Sequence, residues 1–529
     1  MKKIYLDFLF IPVLLFSCFP VFAQHAGSLD STFGKNGISV NNPERLIINS
    51  FATLSNGNIV AAGDSSDDAM LMRYTADGVL DAGFGNNGVL DITKDIPPLI
   101  YIYSYYEGIN VFALPGNKMI VCALRESAFT NPNPVFLQYD ANGKLDSSFG
   151  TAGVIVTDVT SPQPVTPVIQ KDNKILLQAA LVVERIKTNG ARDSSFGING
   201  SLLVSSYLNN STSYYQNTSV AIDSNSRVIV LGYGRHSGSN NDFITTRFSP
   251  EGKIDSSFGV NGVSWKITTS TNEISNDLVI LPDNSIVEEG SMQNSANLYL
   301  KMVKLLQNGS VDVGFNNRGY ILTPVSGDEN GLKYKIGRQA DGKIISLMEN
   351  YSIDNNHTLF VSRLNVNGSL DNSFGVNGTS AFGIDKKPLL SLSLALDNDQ
   401  RILTGGAFNI DPRYHPFPFI TRMLTVDGLN ARRNDAVAAL SINKNISIYP
   451  NPAQNVLHIE GLPSSQNLPA NRQGTKLTVV DFNGNIAMSY ELSAMSSSYN
   501  FNIASLHAGN YLLKIETNGE VIIKQFMKE

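Results

Sequence analysis

A nine-residue motif that recurs seven times constrains the fold of this chain more than any other feature of its sequence. The copies are LDSTFGKNG (29–37), LDAGFGNNG (80–88), LDSSFGTAG (145–153), RDSSFGING (192–200), IDSSFGVNG (254–262), VDVGFNNRG (311–319) and LDNSFGVNG (370–378). Each copy contains an Asp, a Phe three residues later and a final Gly, and successive copies begin 47 to 65 residues apart. A repeat of this length predicts that each copy belongs to one small unit, which buries its apolar face against its neighbours.

Two turn signals divide each unit into strands. A tight-turn pair such as Asp-Gly or Asn-Gly precedes most of the motifs, as in MLMRYTADGVLD (70–81). A second turn lies further upstream between apolar runs, as in FATLSNGNIVAAG (51–63). Turns of this kind between short apolar runs are typical of β-hairpins, so each unit is predicted to hold four short strands. Four antiparallel strands form one blade of a β-propeller, and seven is an ordinary number of blades.

The two ends of the repeat array complement each other. The first motif has no hairpin before it, whereas the last hairpin, TRMLTVDG (421–428), has no motif after it. We therefore expect an N-terminal strand to complete the last blade and close the ring, which leaves no open sheet edge. The predicted fold class is all-β, with a seven-bladed β-propeller of four-stranded blades followed by a small immunoglobulin-like β-sandwich.

The side chains that recur in every motif have a structural interpretation. The Phe is predicted to pack between blades, and the Asp is predicted to cap the turn that follows it. These residues are Asp30, Phe33, Asp81, Phe84, Asp146, Phe149, Asp193, Phe196, Asp255, Phe258, Asp312, Phe315, Asp371 and Phe374. A ring of carboxylates could instead bind calcium, which is the one metal or cofactor that the sequence leaves open.

Composition and motifs argue against several classes of function. The formal net charge of −6 gives no broad positive field, so nucleic acid is not an expected partner. The six histidines show no metal-ligand spacing, and no nucleophile elbow or phosphate-binding loop occurs, so we assign no catalytic residue. Carboxylates distant in sequence could still meet in a propeller channel, which keeps a carbohydrate-active or other hydrolytic enzyme as an alternative.

The first 23 residues are predicted to be a signal peptide. Lys2 and Lys3 precede an apolar run, and small residues before Gln24 predict cleavage between Ala23 and Gln24. Lipidation of Cys18 is the alternative. No later apolar run reaches the length of a membrane span, so we expect no transmembrane segment in the mature chain. Its remaining cysteine lies in an apolar run and is expected to be a small buried side chain.

The units differ from one another in three segments rich in aromatic or small polar residues. The tyrosines of these segments are the predicted binding residues: Tyr101, Tyr103, Tyr105, Tyr106, Tyr214, Tyr215 and Tyr414. Exposed tyrosines among Asn and Ser suit a glycan or protein ligand. The alternative is that Tyr101, Tyr103 and Tyr105 line one face of an ordinary strand, since alternate residues share a face.

The pattern changes after residue 435. Residues 436–446 are predicted to be a linker, and residues 447–529 combine alternating strands with Asn-Gly turns, which predicts the small β-sandwich. The predicted organisation is therefore a signal peptide (1–23), a propeller (24–435), the linker and this C-terminal domain.

Both parts of the chain resemble known families. The LDxSFGxxG motif and its upstream turn resemble the delta-60 repeat, a β-propeller-type repeat of bacterial surface and secreted proteins. Residues 447–529 resemble the type A C-terminal sorting domain of the type IX secretion system of Bacteroidota. The matching residues are Tyr449, Pro450, Asn451, Pro452, Gly484, Gly509, Tyr511 and Lys524. This second resemblance implies that the type IX machinery carries the protein through the outer membrane, for release or for attachment at the cell surface.

The sequence favours a secreted or cell-surface binding scaffold over an enzyme. A rigid ring with variable aromatic loops would present those loops to a glycan or protein. A structural surface-layer component is a further alternative.

Overall fold

The computed structural model describes two compact units, a repeat array within residues 25–426 and a C-terminal domain within residues 447–529. The described residues are 25–40, 46–65, 68–96, 109–127, 130–157, 167–179, 181–208, 212–236, 240–265, 271–294, 297–325, 334–351, 357–382, 389–409, 416–426, 447–450, 453–460, 475–481, 486–492, 498–507, 509–517 and 520–529. The predicted signal peptide with its cleavage site, Ala23 and Gln24, and the predicted linker lie outside them.

The repeat array forms seven four-stranded antiparallel sheets, and strand β1 (Ile38–Val40) precedes the first complete one. Blade 1 contains β2 (Ile47–Thr53), β3 (Ile59–Ser65), β4 (Asp68–Tyr74) and β5 (Val89–Asp91), and blade 2 contains β6 (Asn110–Leu114), β7 (Lys118–Ser127), β8 (Thr130–Tyr139) and β9 (Val154–Val156). Blade 3 contains β10 (Val168–Ile169), β11 (Ile175–Ala179), β12 (Val182–Ile186) and β13 (Ser201–Leu203), and blade 4 contains β14 (Thr212–Ile222), β15 (Val228–His236), β16 (Asn241–Phe248) and β17 (Val263–Trp265).

The remaining blades repeat this plan. Blade 5 contains β18 (Asn272–Ile280), β19 (Ile286–Gln293), β20 (Leu298–Leu305) and β21 (Tyr320–Val325), and blade 6 contains β22 (Tyr334–Arg338), β23 (Ile344–Tyr351), β24 (His357–Leu364) and β25 (Thr379–Phe382). Blade 7 contains β26 (Leu389–Leu396), β27 (Ile402–Asn409) and β28 (Pro416–Met423), and its fourth strand is β1. Short 3₁₀ helices at Thr93–Asp95, Pro115–Asn117, Val204–Tyr207 and Phe315–Asn317 are the helical segments of the described chain.

The seven sheets form the predicted β-propeller. The first strands of six blades line one shared channel, and seven clusters of buried apolar side chains each join two neighbouring blades, including blade 7 with blade 1. Cys122 lies fully buried in one of these clusters, where burial raises the pKa of its thiol. The ring is therefore held by sheet-on-sheet packing of adjacent blades.

The N-terminal segment closes the ring as predicted. Strand β1 pairs with β28, with Ile38 opposite Thr421. Gly27 donates its backbone N–H to the carbonyl of Leu424 at 2.7 Å, and the N–H of Gly375 in blade 6 donates to the carbonyl of Ala26 at 2.8 Å. The hairpin turn of the last blade is thus assembled from two chain segments. The predicted Asp427-Gly428 turn itself lies outside the described residues.

The motif Asp caps its turn and also accepts a charged partner. In each of the seven units its Oδ1 accepts the backbone N–H two residues later, at 3.0 to 3.3 Å. Its Oδ2 accepts a hydrogen bond or ion pair from a basic side chain in every unit, at 2.7 to 3.0 Å. A calcium ion at these carboxylates would have to displace a cation that already occupies them. Within the described chain, no three His, Cys, Asp or Glu side chains are grouped as metal ligands.

A basic residue eight positions before the Asp supplies this partner in most units. In blade 4, Arg247 Nε donates to Asp255 Oδ2 at 2.8 Å, and the guanidinium lies 4.6 Å from the ring centroid of Phe258. Arg247 Nη1 also donates to the carbonyl of Gln307, in the hairpin of blade 5. The same arrangement recurs with Arg73, Arg185, Arg363 and Arg422. We call this Arg–Asp–Phe group the blade clamp, because each copy ties one blade to the next.

The two units without this arginine keep the Asp paired by other means. In blade 2, Gln138 stands at the arginine position, and Lys118 from the start of β7 donates to Asp146 Oδ2 at 2.7 Å. In blade 5, Lys304 replaces the arginine, pairs with Asp312 at 3.0 Å and donates to the carbonyl of Val366 in the next blade. A carboxylate in this position is therefore neutralised in every blade, as a partly buried charge requires.

The carboxyl of Asp193, in the blade 3 clamp, is held in its ionised form. Burial by itself raises the pKa of Asp193, but hydrogen bonds from Ser195 and the charges of Arg185 and Lys174 outweigh it and lower that pKa to about 2. This carboxyl consequently remains charged down to strongly acidic pH.

The motif Phe explains the glycine of five of the hairpins. A Cβ on Gly309 of blade 5 would lie 2.7 Å from the backbone nitrogen of Gly259 and 3.0 Å from the ring of Phe258 in blade 4. Gly78, Gly143, Gly252 and Gly368 meet the Phe of the preceding blade in the same way, all at positive φ. The turn signal in the sequence thus also marks where a neighbouring ring needs space.

The C-terminal domain is a separate β-sandwich of two sheets. One sheet contains β29 (Ser447–Tyr449), β30 (Val456–Glu460) and β33 (Ser498–Asn502), and the other contains β31 (Thr475–Asp481), β32 (Ile486–Leu492), β34 (Gly509–Thr517) and β35 (Glu520–Lys528). The facing sides of both sheets contribute to one buried apolar cluster, which includes Leu457, Phe501, Leu513 and Phe526. This arrangement is the predicted immunoglobulin-like sandwich.

We predict that Gly309→Ala destabilises the propeller far more than Gly116→Ala. Both glycines have positive φ (82° and 76°), but an added Cβ at Gly116 would meet no atom within 4 Å. Gly309→Ala should therefore lower the free energy of unfolding by about 1–3 kcal/mol more than Gly116→Ala, because the methyl group overlaps the neighbouring blade. Urea unfolding of the two variants measures this difference, and equal losses would contradict a packing role for the hairpin glycine.

Candidate functional site

The two faces of the propeller differ in how much the seven units vary. The connection from the third to the fourth strand contains 14 residues in each of blades 1 to 6, for example residues 75–88 and 249–262. The connection from the fourth strand to the next blade instead ranges from 6 residues (383–388) to 18 (92–109). Because neighbouring strands are antiparallel, these two kinds of connection leave from opposite faces. We call them the motif face and the insertion face.

Of the predicted binding tyrosines, only two are described. Residues 97–108, with Tyr101, Tyr103, Tyr105 and Tyr106, join the end of β5 to the start of β6, and the segment with Tyr414 joins β27 to β28. The strand ends that flank both segments lie at the insertion face, and the segments themselves lie outside the described residues. Tyr214 and Tyr215, near the start of β14, are within them.

The structure separates the roles of Tyr214 and Tyr215. Tyr214 is 42% exposed, whereas Tyr215 is only 7% exposed and packs in the apolar cluster between blades 3 and 4. Burial raises the pKa of the Tyr215 hydroxyl. The prediction that Tyr215 contacts a ligand is therefore wrong, because consecutive residues of a strand point to opposite faces of its sheet.

Tyr214 lies in a polar and aromatic group that the sequence did not reveal. The blade 4 cluster consists of Tyr214 and Gln216 on β14 and Tyr233 and Arg235 on β15. Register places Tyr214 opposite Arg235 and Gln216 opposite Tyr233, so all four side chains share one face of the hairpin. The alternating Tyr-Gly-Arg of β15 could have suggested a shared face, but only the register shows that it joins Tyr214.

Hydrogen bonds and ring contacts organise the blade 4 cluster. The hydroxyls of Tyr214 and Tyr233 both donate to Gln216 Oε1, at 2.8 and 3.0 Å. The two rings are 6.0 Å apart between centroids and tilted by 47°. The guanidinium of Arg235 lies 5.7 Å from the Tyr214 ring centroid, and its Nε donates to Asn241 Oδ1 at 3.1 Å. The side chains are thus fixed relative to one another at the surface.

The central channel is the second candidate site. It encloses a cavity of about 480 Å³, which is within the range of small-molecule sites. Its lining is largely apolar or small, as at Phe51, Phe112 and Ser393, and its charged residues are Asp277 on β18 and Lys335 on β22. Asp277 Oδ1 accepts hydrogen bonds from Ser219 Oγ and from the N–H of Leu278, both at 2.8 Å.

A buried carboxyl lies behind the channel wall between blades 5 and 6. Glu289 on β19 is fully buried and accepts a hydrogen bond from Ser346 Oγ at 3.0 Å. Burial raises the pKa of Glu289 to about 8; the Ser346 hydrogen bond and Lys335 oppose the shift, and the charge of Asp277 adds to it. At neutral pH this carboxyl is therefore mostly protonated. Its Oε2 has no partner among the described residues.

No sequence signal points to this carboxyl, because Glu289 belongs to a strand without a distinctive motif, IVEEGSMQ. Its neighbours Asp277 and Lys335 come from two other strands.

The predicted sorting residues of the C-terminal domain occupy several environments. Tyr449 is 44% exposed and stacks on His458 with 5.3 Å between ring centroids, and Pro450 is exposed. Tyr511 is buried against Phe526. Gly509 begins β34, and Lys524 is half-buried in β35. Asn451, Pro452 and Gly484 lie outside the described residues.

Two protein families match the chain. Residues 447–529 match the family described as "Secretion system C-terminal sorting domain". Residues 54–84, 224–258 and 339–374 match the family described as "Domain of unknown function (DUF5122) beta-propeller". Each of these three segments runs from the first turn of a blade to its motif Phe. No curated protein matches the chain in sequence.

Several solved structures resemble the chain at low identity. A protein of unknown function from Dyadobacter fermentans is 8% identical, with 73% of this chain and 98% of that chain covered and a TM-score of 0.38. Virginiamycin B lyase from Staphylococcus aureus is 10% identical, with 72% and 97% covered and a TM-score of 0.40. Drosophila Semaphorin 2a is 9% identical, with 96% and 98% covered and a TM-score of 0.38. Similarity of this degree does not indicate a function.

Across the described residues, no helix has the length and apolar character needed to cross a membrane.

We predict that Glu289→Gln stabilises the propeller at alkaline pH but not at acidic pH. A carboxyl whose pKa is about 8 in the folded state and near 4.3 when unfolded contributes stability below pH 4.3, which is lost as the pH rises towards 8. Glutamine cannot titrate, so the gain in thermal midpoint should appear at pH 8.5 and shrink at pH 5. Glu251 is the control, because a hydrogen bond from Ser249 holds the pKa of this exposed carboxyl below its usual value. Glu251→Gln should show no gain at pH 8.5, and a pH-independent effect of Glu289→Gln would argue against the raised pKa.

Proposed function

We propose that this chain, a repeat β-propeller with a secretion-system C-terminal sorting domain, is a secreted or cell-surface binding scaffold. In this role it captures an extracellular glycan or protein on its insertion face. The sorting domain indicates export to the cell surface or the extracellular space. The propeller family has no assigned function, so the binding role rests on the geometry of this chain.

The contrast between the two faces is the observation that carries this proposal. The motif face repeats one 14-residue connection and one blade clamp, both engaged in holding blades together. The insertion face carries connections of different lengths on the same rigid ring. Variable loops on a rigid scaffold are where binding sites are commonly located. The exposed blade 4 cluster gives this face a group of ordered polar and aromatic side chains.

A channel enzyme is the second candidate, and Glu289 is the observation that favours it. A carboxyl protonated at neutral pH near the channel residues Asp277 and Lys335 has the character of a general acid beside a carboxylate. Against this, Glu289 is fully buried behind the wall, and most of the channel lining is apolar or small. Hydrolysis of a polysaccharide by the intact protein, abolished by Glu289→Gln, would establish the enzyme.

Deletion of residues 447–529 should retain the protein in the periplasm of its native host, because it can no longer cross the outer membrane. The sorting domain forms its own compact unit with its own apolar core, so its loss should leave the propeller folded. Cell fractionation locates the truncated protein, and its thermal midpoint checks the fold. Surface display of a folded, truncated protein would contradict the role of this domain in export.

The exported chain should bind selectively on an array of glycans and extracellular proteins, assayed with and without calcium. Selective binding that persists in Arg318→Gln, a variant of the motif face, supports capture by the insertion face. Dependence of this binding on calcium would support calcium binding by the ring of motif aspartates. Absence of binding to any glycan or protein on the array would contradict the binding function and favour a structural surface role.

A further inference from the structure

We propose that the blade 4 cluster is a binding site for an acidic glycan, in which Arg235 pairs with the carboxylate of a uronic acid residue. This inference rests on the proposed binding function and names the ligand class of one part of the insertion face. It draws on three features of the cluster: an ordered guanidinium, a second set of free donors, and two tyrosine rings beside them.

Arg235 is exposed but its orientation is fixed. Its Nε donates to Asn241 Oδ1, and its guanidinium lies against the Tyr214 ring. Asn241 is itself buried, and its backbone N–H donates to Asn272 Oδ1 at 3.1 Å, so the support of the arginine is anchored to blade 5. The two terminal nitrogens of Arg235 have no partner among the described residues. A planar guanidinium that is held at Nε and open at its terminal nitrogens can bind a carboxylate through two parallel hydrogen bonds.

Gln216 adds further hydrogen-bond donors to those of Arg235. Its Oε1 is occupied by the hydroxyls of Tyr214 and Tyr233, which leaves the amide Nε2 with two N–H donors and no partner among the described residues. The side chain is half-buried, so its position is constrained by the strand pair. The nitrogens of Gln216 and Arg235 together favour a ligand rich in acceptors, as carboxylate and sugar oxygens are.

The tyrosine rings decide between a sugar and a peptide. Tyr214 and Tyr233 present two tilted rings whose centroids are 6.0 Å apart, and Tyr214 is 42% exposed. Such rings offer an apolar surface with a polar hydroxyl at one end, which matches the C–H face and the hydroxyl edge of a pyranose. A carboxylate on that pyranose would reach the arginine beside Tyr214. An acidic peptide could satisfy the arginine but has no equivalent use for the two rings.

The site lies where a polymer can reach it. Tyr214 is near the start of β14 and Arg235 is near the end of β15, and both of these strand ends are at the insertion face. The formal net charge of the chain is −6, so the chain as a whole does not attract an anionic polymer, and a specific cation has to supply the contact.

The test is calorimetric titration of the full-length mature protein with trigalacturonic acid. Arg235→Gln should weaken binding roughly 10- to 100-fold, because it removes a charge-assisted hydrogen-bonded pair. Arg235→Lys should recover only part of this loss, since an ammonium cannot form the two parallel hydrogen bonds. Tyr214→Ala should also weaken binding, and binding should decline as salt is raised.

Arg318→Gln is the matched control. Arg318 is an exposed arginine whose guanidinium lies 5.2 Å from the Tyr320 ring centroid, but it belongs to the motif face of blade 5. Its replacement should leave the affinity for trigalacturonic acid unchanged. Thermal midpoints of the arginine variants should match that of the parent protein, because Arg235 and Arg318 are both at the surface.

Three outcomes would overturn the inference. A neutral trigalactose that binds as tightly as the acid shows that the carboxylate is not recognised. Tighter binding of a glutamate hexapeptide than of the sugar, lost in Arg235→Gln, identifies a peptide site instead. Glycan binding that is insensitive to Arg235→Gln leaves the binding scaffold intact but moves its site elsewhere on the insertion face. The binding scaffold itself is contradicted only if the protein binds no ligand on the array.

Discussion

The blade clamp is the interaction on which the rest of the propeller depends. An arginine that pairs with the motif Asp, stacks on the motif Phe and donates to the hairpin of the next blade fixes both the turn of its own blade and the position of its neighbour. Buried ion pairs add little net stability compared with apolar packing, but loss of one partner is costly. Repeated around the ring, such pairs specify how successive blades align, while the apolar clusters between blades supply most of the stabilising free energy.

This division of tasks leaves the opposite face free to vary. The clamps, the hairpin glycines and the closing contact of Gly27 with Gly375 all lie where the third and fourth strands connect. Changes in the connections to the next blade do not disturb these contacts, because they leave from the other ends of the strands. The protein thus combines one scaffold, in which five units share the arginine clamp and two pair the Asp with lysine, with local differences such as the blade 4 cluster.

The electrostatics of the ring follow the same separation. On the motif face, carboxyls such as Asp193 have lowered pKa values because hydrogen bonds and basic partners outweigh burial. Between blades 5 and 6, Glu289 has a raised pKa because burial outweighs a single hydrogen bond from Ser346. The first kind of carboxyl belongs to the scaffold. The second has an oxygen near the channel with no partner in the described part of the chain, which makes it the group to examine if the chain proves to have catalytic activity.

The sequence by itself determined the repeat number, the four strands of each blade, the closure by the N-terminal strand and the sandwich with its sorting signal, because turn residues and strand alternation are local properties. It also contained the clamp arginine, which stands eight residues before the Asp in four of the five clamps, although that spacing conveys no contact until the strands pair. Only the tertiary structure decided that Tyr214 is exposed while Tyr215 is buried, and that Tyr214 meets Gln216, Tyr233 and Arg235. Register between strands and the position of each blade relative to its neighbours produce these contacts, and neither is encoded in a local pattern of residues.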